Sequence, residues 1–164
     1  VLPGGPVRET TEQYVRLVRE TCSLLRQDPP ELVPDANGVI TSFLLVDAVE
    51  FGLHYVPTLD RDRFHVFVAF GRSPEESERE VLRRLMSVNG TLQRRNGSLF
   101  SLNPIDNTIT YNYTCRLSLT HPARLARSLT AIATEAKDWR EACRLEPGPV
   151  RSTARRTETA ETWA

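Results

Sequence analysis

Two periods of apolar residues alternate along this chain, and their order predicts its architecture. Phe64, Val66, Val68 and Phe70 alternate with His65, Phe67 and Ala69, the two-residue period of a strand with one strongly apolar face. Gly71-Arg72 breaks that strand. Ser73 as N-cap, Pro74 in the first turn and Glu76 closing a Ser-x-x-Glu box then predict a helix. Glu75, Glu76 and Glu78 lie near the positive end of its dipole, and Arg83 and Arg84 lie toward the other end. Asn89-Gly90 predicts a left-handed stop. Within the helix, Val81, Leu82, Leu85, Met86 and Val88 form a short apolar stripe opposite a charged face. Such a stripe packs either on the subunit's own sheet or on a second copy, and the pattern leaves both open.

The same reading extends in both directions. A Thr-x-x-Gln box over residues 10–13 opens a first helix, with Tyr14, Leu17, Val18, Thr21 and Leu25 at helical spacing. Gln27-Asp28-Pro29-Pro30 ends it, because the residue before a proline avoids the helical region. The apolar run 39–46 and the alternation Val49, Phe51, Leu53, Tyr55 predict two strands about a turn at Asp47-Ala48. With the strand at 64–70 they suggest an antiparallel meander. After the central helix, Gln93 to Gly97 reads as a polar loop and Leu99 to Leu102 as a short strand. A turn over 103–107 leads to the clear alternation Ile109, Tyr111, Tyr113, Cys115, Leu117. Thr120 and Pro122 open a last helix whose stripe runs Leu125, Leu129, Ile132, Ala136, Trp139, Cys143. The expected fold is α+β, in the order α-β-β-β-α-β-β-α, with helices packed on a twisted antiparallel sheet. One domain is expected over residues 9–145, between a disordered N-terminus (1–8) and a disordered tail (146–164) unless a partner orders it.

Composition narrows the partners. The chain has 164 residues, 40% of them hydrophobic, enough for one cored domain. Its 21 basic and 21 acidic residues cancel, so no global field favours nucleic acid or an anionic membrane. No run approaches the roughly 18 apolar residues that span a bilayer. The opening residues lack the basic region and apolar stretch of a signal peptide. Cys22, Cys115 and Cys143 are odd in number and never spaced Cys-x-x-Cys. They read as small buried hydrophobes in a reducing cytosol. The sequons at Asn89, Asn96 and Asn112 read as turn or strand chemistry.

Candidate chemistry is sparse. His54, His65 and His121 lack metal-ligand spacing, and Asp47 with Glu50, or Asp60 with Asp62, read as solvated turn residues. There is no Gly-rich phosphate loop and no Gly-x-Ser-x-Gly. Cys115 falls in an apolar strand row, where burial raises a thiol pKa. No enzymatic activity, cofactor or metal is therefore expected. Tyr111 and Tyr113, with Phe64, Phe67 and Phe70, support an alternative reading as a small RNA- or DNA-binding α+β domain. The neutral field argues against it, and no nucleic-acid partner is expected.

The element order, together with Val88-Asn-Gly-Thr-Leu92, Ser98-Leu-Phe-Ser-Leu-Asn103, Ile109-Thr-Tyr-Asn-Tyr113 and Leu125 to Trp139, resembles the type III secretion chaperone family of the Tir-chaperone (CesT-like) type. The resemblance covers roughly residues 8 to 145. It implies a cytoplasmic bacterial homodimer without enzymatic activity. Such a protein binds the N-terminal segment of one or more secreted effectors in extended form, keeps it secretion-competent and hands it to the export ATPase. Carried over by position, Val81, Leu82, Leu85, Met86 and Val88 correspond to the dimer interface. Tyr14, Leu17, Val18, Phe43, Leu45, Phe100 and Leu102 correspond to effector-binding positions.

Overall fold

A computed structural model describes residues 6–146; the rest of the expected disordered termini lies outside the described residues. The first helix, α1 (Pro6–Leu24), starts ahead of the Thr10 box. Proline suits an opening helical turn. The hydroxyls of Thr10 and Thr11 both donate to the Val7 carbonyl, at 3.2 and 2.7 Å, so these threonines lie inside the helix and cap nothing.

Strands β1 (Ile40–Val46) and β2 (Val49–Tyr55) form a hairpin around Asp47 and Ala48, whose φ angles are +49° and +63°. Positive φ at both turn residues matches the right-handed twist of the flanking strands. Strand β3 (Arg63–Arg72) pairs with β2 on one side and β5 (Thr108–Arg116) on the other. Strand β4 (Leu99–Leu102) lies outside β5, so the antiparallel sheet runs β1-β2-β3-β5-β4. The expected order of helices and strands holds throughout.

The register shifts between Ala69 and Gly71, and the shift has a visible cause. Arg72 exchanges two 2.8 Å backbone hydrogen bonds with Glu146, which brings the end of the described chain against β3. A Cβ at Gly71 would stand 2.5 Å from the Glu146 carbonyl, and φ there is +135°, so only glycine fits. Arg140 fastens the same corner, donating to the Phe70, Ala69 and Ala48 carbonyls at 2.7, 2.8 and 3.2 Å.

The central helix differs from its predicted limits at both ends. A short 3-10 turn (Glu75–Ser77) precedes α2 (Glu78–Asn96), and no side-chain cap closes its start. The helix passes through Asn89-Gly90 and ends at Gly97, which takes the left-handed conformation at φ +70°. The predicted loop over 93–97 is thus its last turn. Asn89 is occupied elsewhere: its Nδ2 donates to the Phe100 carbonyl at 2.9 Å, and its Oδ1 accepts from the Phe100 N–H at 2.7 Å. A side chain that satisfies a strand's backbone has no need to stop a helix.

Helix α3 (Pro122–Cys143) packs with α1 over one face of the sheet. Their buried residues meet Phe51, Leu53, Tyr55, Phe64, Val66, Val68 and Phe70 in one core. Each such side chain contributes about 1.5–3 kcal/mol by leaving water. Helix α2 packs chiefly on β4, beside that layer. The opposite sheet face carries Thr41, Leu45, Phe67 and Thr114 exposed and Phe43, His54 and His65 half-buried.

Candidate partner-binding surfaces

The stripe on α2 divides into two parts. Val81 and Leu85 are buried in their own subunit, while Leu82 and Val88 are half-covered and Met86 is 72% exposed. The buried part meets an aromatic cluster at the end of α3. There Phe70 and Phe100 stand edge to face at 4.9 Å, Trp139 lies 5.4 Å from Phe100, and the Arg84 guanidinium sits 4.9 Å above the Trp139 ring. The outer part, Met86 with Leu82 and Val88, leaves apolar surface in water. Leu92, one turn further on and beyond the stripe ending at Val88, is also only half-covered.

The helix-side face of β5 is likewise incompletely covered. Tyr111, Tyr113 and Cys115 are all half-exposed at the residue level, yet the Tyr113 hydroxyl is buried with no hydrogen-bond partner among the described residues. Burial pushes the Cys115 thiol up to about 11, against the smaller opposing effects of Arg124 and Thr120. Burial alone pushes Cys22 to about the same value. Neither cysteine is a ready thiolate near neutral pH.

The residues assigned to an effector separate just as sharply. Tyr14, Leu17 and Val18 lie in the core, Tyr14 stacked 4.6 Å from Tyr55. Phe100 is also buried. These four side chains hold the subunit together and offer no surface in this conformation. The helical period identifies an inward face but does not say what that face meets. Leu45 (51% exposed) and Leu102 (37%) do reach solvent, and Phe43 is half-buried.

A groove that sequence reasoning missed lies on the outer side of α1. Val15 and Leu32 form its apolar floor, Glu12, Arg16, Arg19 and Glu20 its charged walls, and its volume is about 320 Å³. Pro34 borders it, so the proline-bearing segment after α1 folds back along the helix. The available signal was Leu32, an apolar residue just after the Pro29-Pro30 stop. Strand β1 ends the sheet on its side and pairs only with β2 among the described residues. Across the open face, Phe43, Gly52 and Phe67 share one register row. A Cβ at Gly52 would meet the Phe43 ring at 3.4 Å, so the ring lies over the glycine.

The charged groups are structural where the geometry can be followed. Asp62 accepts from the Ser118 N–H at 2.7 Å and from Arg116 Nε at 2.8 Å, which holds its carboxyl down at about 2. Burial lowers the His54 pKa, with the neighbouring His65 adding to the effect and Asp35 opposing it. Among the described residues no three His, Cys, Asp or Glu side chains converge as a metal site. No described helix is long and apolar enough to cross a membrane.

The β1 edge, the groove on α1 and the outer part of the α2 stripe thus lie outside the subunit's own core. The model of the Tir chaperone protein (CesT) family matches residues 17–140, and the chain belongs to that family. No curated protein matches it in sequence. Solved structures agree on the fold. A chain of the ExsC–ExsE complex superposes with a TM-score of 0.63 at 18% identity, covering 81% of this chain and 95% of that one. A chain of the HopA1–SchA chaperone–effector complex gives 0.58 at 14% identity, covering 81% and 97%. The complex of the Yersinia pestis type III secretion chaperone SycH with a fragment of YscM2 gives 0.52 at 17% identity, covering 76% and 98%.

Proposed function

We propose that this chain is a type III secretion chaperone that binds the N-terminal segment of a secreted effector in extended form. The observation that carries the reading is the pairing of an open β1 edge with apolar surface beside it. An extended segment gains main-chain hydrogen bonds from such an edge and side-chain specificity from flanking pockets. Phe43 and Leu45 flank it on the open face, and the Val15–Leu32 groove lies on α1. The family membership supports this reading, as do the structural relatives whose names describe chaperone–effector complexes.

The working form is a bacterial cytoplasmic homodimer in which Met86, Leu82 and Val88 meet a second copy. Covering them together with the half-exposed face of β5 removes apolar surface that the subunit otherwise leaves in water. The loaded dimer then passes its effector to the export ATPase. No step requires a catalytic group.

Co-expression with a secreted protein encoded beside it tests the reading. The expected result is a stable complex that survives size exclusion and loses affinity by at least about tenfold in Leu45→Asp. A complex unaffected by Leu45→Asp and by Val15→Asp would place the effector elsewhere. Release of the effector on adding the export ATPase with ATP tests the final step, and continued binding under those conditions opposes it.

A further inference from the structure

The open face of the sheet holds a histidine row to which the proposed effector contact assigns no role. Thr41, His54, His65 and Thr114 occupy one register row across β1, β2, β3 and β5. The two imidazoles are direct cross-strand neighbours, a position that sets Cβ atoms about 4.5–5.5 Å apart. Each is tied on its outer side: Thr41 Oγ1 lies 2.8 Å from His54 Nδ1, and Thr114 Oγ1 lies 3.1 Å from His65 Nδ1. In the tautomer that donates from Nδ1 to the threonine oxygen, Nε2 of each ring carries a lone pair. Phe67 stands one row away, its ring 6.4 Å from both imidazoles. A shallow hollow of about 170 Å³, lined in part by His65, Phe67, Leu99 and Asn112, opens alongside.

From this row we infer a two-histidine site for a divalent transition cation such as Zn²⁺, with His54 and His65 as ligands through Nε2. The chemistry matches what a metal asks of imidazole: a neutral ring, with its second nitrogen hydrogen-bonded so that tautomer and orientation are set. Two Zn–N bonds of about 2.0–2.1 Å on one tetrahedral ion bring the two Nε2 atoms to about 3.5 Å, a separation that rings on directly paired cross-strand residues can reach. Two protein ligands leave the remaining positions to water or to a donor from a bound partner, and the adjoining hollow gives that donor room. The site lies on the face opposite α1 and α3, the face that also carries Phe43 and Leu45, and zinc binding to the chain alone is measured without any effector present.

Titration of the tag-free full-length chain with ZnCl₂, followed by calorimetry and by histidine NMR signals, tests the assignment. The expected result is one ion per chain, with His54→Gln and His65→Gln each weakening binding by at least tenfold. The double variant Thr41→Val/Thr114→Val should weaken it by about 10–100-fold while both imidazoles remain. His121→Gln, away from the row, should bind as the unchanged chain does. Affinity in His54→Gln or His65→Gln unchanged from that of the parent chain, binding that instead follows the cysteines, or no binding at millimolar ZnCl₂ would each overturn the site. Both histidines are half-buried on an open face, and circular dichroism of each variant confirms that the fold is retained.

Discussion

Asn89 shows what a single residue can do that its sequence context conceals. Asn-Gly in a helical run reads as a stop, because either residue adopts the left-handed conformation at little cost. In the fold the carboxamide behaves like one more strand residue, giving to and taking from Phe100 on the outermost strand. Asn89→Ala leaves both backbone groups of Phe100 without that partner and is expected to cost about 1–3 kcal/mol, read as a lower thermal midpoint. Asp62 supplies a second test at this scale. Its folded-state pKa, about 2, lies below the ordinary carboxylate value, so ionised Asp62 stabilises the fold at and above neutral pH. That contribution is lost as pH falls from the usual carboxylate range toward 2. The Arg116 partner is 59% exposed, and solvent screening keeps the effect small. Asp62→Asn should flatten the acid limb of stability against pH, measured by denaturant unfolding between pH 5 and about 2. An unchanged acid limb would remove Asp62 from this role.

Among elements, the strands were more legible than the helices. Alternation marks a strand's inner face directly, and β2, β3 and β5 fall where Phe51, Phe64 and Ile109 predict. A helix stripe gives the inward direction but not the partner: Tyr14 stands against Tyr55 and Phe64, and Leu17 and Val18 are buried with it in the subunit's own core. Helix α2 carries both outcomes on one stripe, and substitutions separate them. Leu85 is 5% exposed, so Leu85→Ala should cost about 2–5 kcal/mol in any oligomeric state. Met86 is 72% exposed, so Met86→Glu should leave the subunit folded while shifting sedimentation from dimer to monomer. A Met86→Glu chain that still sediments as a dimer would move the proposed contact off this face.

The whole molecule follows from the order of its elements. Helices α1 and α3 fill one side of the sheet, and the β1 edge, the α1 groove and the outer face of α2 remain outside the core. The order α-β-β-β-α-β-β-α could be read from the chain. The seating of β5 between β3 and β4 could not, because that depends on contacts between strands distant in sequence. Nor could the groove over α1, which forms only when residues 32–34 return to residues 11–20. Hydrogen exchange of the chain alone and with the N-terminal segment of its secreted partner measures most directly whether these surfaces receive an extended polypeptide. The expected result is new protection in β1 and along α1 and the Leu32–Pro34 segment. Tight binding with no change at β1 or α1 would contradict the proposed escort role of these surfaces.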